Sequence, residues 1–349
     1  MNILSYTPEE LRDLLMSLGE PKYRAEQIFT QLHKGVYLDE MTNVGKVTRE
    51  KLRSAVDCRP MSVRRKLCSS IDETVKYLFE LTDGNCIESV VMKYEHGYTI
   101  CVSSQVGCRM GCRFCASTVA GRVRDLEAGE ILGQIIAAQR DLDIRISNVV
   151  MMGIGEPLDN FDNVVRFLEL VNHPQGVNIG YRHISLSTCG VVPKIYELAK
   201  LDLPITLSIS LHASDDATRN EIMPVNHTWG IDRLLEACKD YYKVTGRRMS
   251  FEYTLISGKN DTVKNALSLA ELLNSRLRSK REGMPIHVNL IPVNEVTEAG
   301  YKSSDRAAVK AFASTLESKG IRATVRRTLG SDINASCGQL RREEAGSED

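Results

Sequence analysis

The chain has no apolar run of the ~18 residues that a membrane helix needs. Its start, Met-Asn-Ile-Leu-Ser, lacks the basic-then-apolar pattern of a secretory signal. The expected compartment is therefore the cytoplasm, with no membrane as a partner. Net charge is zero, 45 Lys and Arg against 45 Asp and Glu, so bulk electrostatics do not mark a nucleic-acid binder. No internal repeat and no low-complexity tract is present. No second C-x2-C element accompanies the one at Cys112 and Cys115, although zinc sites usually pair such elements.

What is present is ordinary in bulk and unusual in detail. A chain of 349 residues, 42% hydrophobic and 26% charged, has room for one large domain and a small one. Ten cysteines without a secretory signal point to metal or redox chemistry and away from a disulfide scaffold. Charge is locally uneven. Residues 41–70 hold eight Lys or Arg against Glu50 and Asp57, a net of +6. Smaller basic clusters are Arg276, Arg278, Lys280 and Arg281, then Arg322, Arg326 and Arg327. Such patches can contact a phosphate backbone or simply solvate a helix face.

Organisation follows from period. Thr7-Pro8-Glu9-Glu10 reads as a capping box opening a helix, which Gly19 and Pro21 end. Helices are expected near 22–33 and 47–55, so residues 1–70 form a small helical domain. Val75, Tyr77, Phe79 and Leu81 alternate, Asp83-Gly84 makes a turn, and Ile87 to Met92 is extended again. Residues 71–96 therefore form a β-hairpin. From 97 to 340, strands (146–153, 183–189, 205–211, 249–256, 286–292, 323–328) alternate with helices. Six such units after the first strand are too few for a closed eightfold barrel. The expected class is α/β, a partial (β/α)6 barrel with its function at the carboxyl ends of the strands. Residues 341–349 read as an acidic tail.

The stretch Cys101-Val-Ser-Ser-Gln-Val-Gly-Cys108-Arg-Met-Gly-Cys112-Arg-Phe-Cys115 follows the first barrel strand. Three cysteines spaced C-x3-C-x2-C, with no nearby fourth ligand, do not close a structural zinc site. They suit a cubane iron–sulfur cluster with one iron left for chemistry. The other notable residues also fall at strand ends: Gly153-Ile-Gly155-Glu156-Pro157, Ser185 to Thr188 with Ser187, Ser208-Ile-Ser210-Leu211-His212, and Asn289 to Asn294. Gly allows close backbone approach, and Glu156 can accept from an ammonium. Singly, a strand-end Ser or Asn is more often a cap or turn; together on one rim they suit a polar small molecule. Cys337, before Gly in a loop past the last strand, reads either as a functional thiol or as a stray buried one. Cys238 lies on an apolar helix stripe with Ile231, Leu234 and Leu235 and reads as core. Cys58, Cys68, Cys86 and Cys189 have no partner spacing and read as structural. His33, His96, His173, His183, His227 and His287 show no ligand pattern.

The Cys108–Cys112–Cys115 spacing with Phe114 resembles that of the radical S-adenosylmethionine (SAM) enzymes. Nearly the whole chain resembles one branch of them, the dual-specificity RNA methyltransferases that modify carbon 2 of adenine. The resemblance runs through the helical start, Glu88 to Cys115, residues 153–158, 186–188, 210–212, 223–226 and 288–292, and Ala-Ser-Cys-Gly-Gln-Leu at 335–340. It implies a radical-SAM barrel, a [4Fe-4S] cluster on Cys108, Cys112 and Cys115, and SAM held by Gly155, Glu156, Ser187, Ser210, Leu211, His212 and Asn294. It also implies that Cys337 carries the methyl group, that Cys101 is the resolving thiol and that Glu88 is the general base. The implied substrates are adenine 2503 of 23S rRNA and adenine 37 of tRNA, with flavodoxin or ferredoxin as electron donor and a monomeric enzyme. The helical domain and the basic patches would contact RNA.

Carbon 2 of adenine lies between two ring nitrogens and is not nucleophilic, so it cannot attack a sulfonium methyl. In the family's mechanism one SAM methylates Cys337. A second SAM yields a 5′-deoxyadenosyl radical, which takes hydrogen from the S-methyl group so that the carbon can add to carbon 2. Glu88 would remove the ring proton, and Cys101 would attack the Cys337 sulfur, leaving a disulfide. One departure from the family pattern is Glu295 after Asn294, where Pro is frequent. Two alternatives are a carbon-8 rRNA adenine methyltransferase conferring antibiotic resistance, disfavoured by Pro157, and a non-catalytic zinc-binding RNA assembly factor.

Overall fold

A computed structural model describes residues 1–278, 284–293, 300–333 and 335. Asn294, Cys337 and the acidic tail at 341–349 lie outside them. The chain begins with α1 (Pro8–Ser17), α2 (Arg24–His33) and α3 (Lys46–Ala55). Thr7 and Glu10 form the expected capping box, each side chain accepting from the other's backbone N–H at 3.3 and 2.9 Å. The helices are tied to the barrel. The Arg166 guanidinium donates to Glu10 at 2.6 Å, and Arg140 forks onto both oxygens of Glu40 at 2.6 Å.

Within the expected helical segment lies a strand, β1 (Ser62–Cys68), antiparallel to β2 (Val75–Glu80). β2 and β3 (Cys86–Tyr94) form the expected hairpin, with Val75 opposite Val91 and Glu80 opposite Cys86. β4 (Gly97–Cys101) pairs antiparallel with β3, setting Cys101 opposite Val90, and parallel with β7 (Ile146–Met151), setting Cys101 opposite Val150.

From β4 onward the sheet is parallel: β7, β8 (Ile184–Thr188), β9 (Thr206–Ser210), β10 (Met249–Leu255), β11 (Ile286–Pro292) and β12 (Arg322–Val325). Six crossover helices join these strands: α4 (Ala128–Leu142), α5 (Phe161–Asn172), α6 (Val192–Lys200), α8 (Ile231–Thr245), α9 (Val263–Leu277) and α10 (Arg306–Ser318). Each buries one apolar stripe. On α5, Val164, Phe167, Leu168 and Val171 recur at helical spacing and are buried. Cys238 is fully buried on α8. This is the partial (β/α)6 architecture with one closing strand. Two elements lie outside the alternation: a small hairpin of β5 (Gln105–Gly107) and β6 (Arg122–Asp125), and the short helix α7 (Asp216–Ile222). Among the described residues no helix is long and apolar enough to cross a membrane.

Candidate active site

Beyond Cys101 the chain leaves the sheet. β5 and β6 pair and close the neck of a loop at 108–121, where the Cys108 N–H donates to Gly121 O at 3.0 Å. Inside the loop the Cys115 N–H donates to Cys112 O at 3.0 Å. The Thr118 hydroxyl donates to Cys112 O at 3.0 Å and to Cys115 O at 2.9 Å. Cys108, Cys112 and Cys115 all line one cavity of about 210 Å³.

Burial, then neighbouring charge, pushes the Cys108 thiol up to about 12 and the Cys112 thiol well above its usual value. Crowded, buried thiols such as Cys108 and Cys112 are poor anions unless cations neutralise them, and bound iron reverses that balance. Among the described residues no three His, Cys, Asp or Glu side chains converge on a single ion. A cubane does not need such convergence, because each thiolate takes a different iron. The donor set therefore fits the cluster.

The second strand end closes over this loop. A Cβ on Gly153 would lie 2.6 Å from Val102 O. Gly155, at φ +110°, has room for none, since Gln105 Cβ would be 2.7 Å away. Glu156 is buried and lines the cavity. Its carboxylate accepts the Cys189 N–H at 2.7 Å and the Leu158 N–H at 3.0 Å. Burial pushes its carboxyl up while those bonds pull it down.

Ser187 and Ser210 face each other across β8 and β9, with oxygens 3.4 Å apart. His212 holds left-handed backbone, φ 58°, and its Nδ1 accepts the Thr254 N–H at 2.9 Å. Burial and then Arg219 push its imidazole down to about 3, so it is neutral with its proton on Nε2. Phe114 meets its ring edge-on at 4.9 Å. Leu211 is buried outside the cavity wall and acts through its backbone, donating to Glu252 O at 3.1 Å.

Several residues here carry no signal that a sequence reading would single out. Arg219 of α7 is fully buried and donates to Leu211 O (3.0 Å), Cys189 O (2.7 Å), Ser210 O (3.1 Å) and Asn226 Oδ1 (2.7 Å). It staples two of the strand-end turns together. Glu252 is buried in the cavity wall on β10, accepting from Asn289 Nδ2 at 2.7 Å and Ser250 Oγ at 2.9 Å. A carboxylate amid Met-Ser-Phe-Glu-Tyr-Thr-Leu was the available hint. Cys189, read as structural, lies in the same wall.

A second cavity, about 230 Å³, shares Phe114, Cys115, Thr254, Ile291 and Arg326 with the first. Cys101, 4% exposed, lines it beside Val90 and Met92, and Leu329 and Ala335, which pack against these three, line it too. Glu88, 2% exposed, shares the β3 face of Val90 and Met92 but is not among the described residues lining either cavity. Its carboxylate pairs with Lys76 Nζ at 3.1 Å.

Of the eight basic residues at 41–70, Lys46, Lys51, Arg53, Arg59 and Lys66 each pair with an acid. Arg326 and Arg327 are exposed at the second cavity's mouth, and among the described residues no acid pairs with them.

A mostly parallel partial barrel with three loop cysteines in one strand-end cavity is the arrangement of the radical SAM superfamily. The superfamily model matches residues 102–270, and a model described as the ribosomal RNA large subunit methyltransferase N-terminal domain matches residues 1–57. The chain is 51% identical over 343 residues to the probable dual-specificity RNA methyltransferase RlmN of Clostridium novyi, covering 98% of each. It is 51% identical over 342 residues to that of Clostridium acetobutylicum, covering 98% of this chain and 97% of the other. The crystal structure of a radical SAM methyltransferase from Sphaerobacter thermophilus superposes with a TM-score of 0.91 at 40% identity, covering 97% and 98% of the two chains. The chain belongs to the RlmN family of dual-specificity RNA methyltransferases, radical SAM enzymes whose superfamily implies SAM and a [4Fe-4S] cluster.

Proposed function

We propose that this enzyme methylates carbon 2 of adenine in RNA, at adenine 2503 of 23S rRNA and adenine 37 of tRNA, through a methyl group carried on Cys337. The observation that carries the reading is the junction of the two cavities. The cysteine-lined one adjoins the one lined by Cys101, the two sharing Phe114, Cys115, Thr254, Ile291 and Arg326.

Cys108, Cys112 and Cys115 hold the cluster, and Gly155, Glu156, Ser187, Ser210, Leu211, His212 and Asn294 hold SAM. When bound, cluster and SAM supply a carbon radical that removes one hydrogen from the S-methyl of Cys337. Ala335 lies in the wall of the second cavity, and Cys337 follows two residues on, a reach of at most ~7 Å. Glu88 accepts the proton of carbon 2 once that carbon is bonded to the Cys337 methylene, and the unpaired electron of the adduct leaves to a one-electron acceptor, a role the bound cluster would supply. The Cys101 thiolate then attacks the Cys337 sulfur. The sulfur–carbon bond breaks, the carbon keeps the electron pair and takes up a proton to become the methyl group, and a Cys101–Cys337 disulfide remains. A donor such as flavodoxin or ferredoxin would supply the electron used at the cluster, and a thiol reductant would return the disulfide to two thiols. Arg326 and Arg327, standing at the mouth without acid partners, contact RNA phosphate.

The test is nucleoside mass spectrometry with chromatographic separation of methyladenosine isomers. The RNA comes from cells that lack their own such enzyme and express this chain. The expected product is 2-methyladenosine; 8-methyladenosine assigns the carbon-8 activity instead, and no methylation with zinc in the protein assigns the binding factor.

A further inference from the structure

Lys76 is the least expected side chain in the sheet. It is 0% exposed, it is the second residue of β2, and it shares a sheet face with its cross-strand neighbour Val90. That is the face that Glu88 occupies one pleat away and that bears Cys101 on the next strand. Its Nζ lies 3.1 Å from Glu88 Oε2.

A buried ion pair is a poor way to stabilise a fold. Charges removed from water lose several kcal/mol of solvation each, and well-packed apolar residues of equal volume often do as well or better. The sheet has such a layer at hand: on the opposite face of β2, Tyr77 and Phe79 stack at 5.0 Å within the main core. The charged pair stands instead on the face turned to the second cavity.

Glu88 is also held from behind. The Ser103 hydroxyl donates to Glu88 O at 2.6 Å, and the Ser103 N–H and C=O are gripped by the Gln134 amide at 2.8 and 2.9 Å. With the backbone fixed, the Lys76 ammonium on Oε2 helps to hold the orientation of the carboxylate.

We infer that Lys76 is a positioning residue for the proton-removal step, holding Glu88 as an oriented carboxylate beside Cys101. The inference rests on the reading of Glu88 as the base. In that reading Glu88 acts only after the thiol has been methylated, so loss of Lys76 separates the two halves of the reaction.

The experiment uses full-length, cluster-loaded wild type, Lys76→Met, Lys76→Arg and Glu88→Gln. For each, the methylation of Cys337 is read by peptide mass. RNA is then added, and the covalent protein–RNA adduct is followed on denaturing gels. General-base assistance is worth about 10²–10⁴-fold, so Lys76→Met should release RNA at least about tenfold more slowly and accumulate adduct. Its Cys337 methylation should match wild type. Lys76→Arg should recover most of the release rate, and Glu88→Gln should accumulate adduct. Normal release by Lys76→Met alongside adduct in Glu88→Gln overturns the role of Lys76 and leaves Glu88 standing. Normal release by Glu88→Gln overturns the base assignment itself. Loss of both half-reactions in Lys76→Met and Lys76→Arg alike assigns Lys76 to folding and overturns the inference.

Discussion

Replacing Arg219 with Met should unfasten, from within, the strand-end turns proposed to hold SAM. The guanidinium serves four buried acceptors: three carbonyls, at Cys189, Ser210 and Leu211, and the Asn226 amide oxygen. Met fills similar volume and donates nothing. An orphaned buried acceptor costs about 1–3 kcal/mol, so the gross loss is on the order of 4–12 kcal/mol. Relief of the burial cost of the cation itself offsets part of this, leaving about 3 kcal/mol. In a chain of this length, 1 kcal/mol moves Tm by roughly 2 °C, so the variant should melt about 5 °C lower. The turns it ties together carry Ser210 and Leu211 and lead into His212, so SAM affinity should fall more than stability alone requires, by about tenfold. Circular-dichroism melting and calorimetric SAM titration of the cluster-loaded protein give the two numbers. A variant that melts within 1 °C of wild type and binds SAM normally would refute the stapling argument.

Cys101→Ala should accumulate a covalent protein–RNA adduct and Cys238→Ala should not, since Cys238 is fully buried core on α8; equal adduct in both would remove the resolving role. Arg326→Gln with Arg327→Gln should weaken RNA binding and lower the slope of log K against log salt by about 1.5, whereas an unchanged slope would move the phosphate contacts elsewhere. Gly155→Ala forces a Cβ to 2.7 Å from Gln105 at φ +110° and should abolish SAM binding while Gly45→Ala, in open space at an ordinary φ of -58°, leaves SAM binding intact. Burial holds the His33 imidazole down at about 3, against about 6.5 in the unfolded chain. The unfolded state therefore binds the extra proton first, and stability falls as pH drops below 6.5. Between pH 7.5 and 5.5 wild type should lose about 1.4 kcal/mol more than His33→Gln in denaturant titrations.

The legible parts of this molecule are those encoded by period and spacing. The capping box at Thr7, the Asp83-Gly84 hairpin and the alternation of apolar strands with amphipathic helices are local signals, and the observed elements follow them to within a few residues. The strand-end motifs were legible because parallel α/β topology fixes where loops after strands must gather. What stayed hidden depends on tertiary context. β1 reads Ser-Val-Arg-Arg-Lys-Leu-Cys, with no apolar alternation, because it is an exposed edge strand and its face needs no core. Arg219 lies in a short polar helix, and only the folded chain reveals that it points inward. Lys76 interrupts an alternating strand like a solvent-facing residue, yet the sheet face it occupies is covered. Most charges of the basic run at 41–70 pair with acids brought near by the fold, which a count along the sequence does not reveal.

The central claim is that the methyl group reaches adenine by way of a protein sulfur, losing one hydrogen there. Supplying SAM with a trideuterated methyl over several turnovers and measuring the mass of the product nucleoside tests it directly. The account predicts 2-methyladenosine with two deuterium atoms and one hydrogen from solvent on the new methyl group. A product that retains all three deuterium atoms would contradict it.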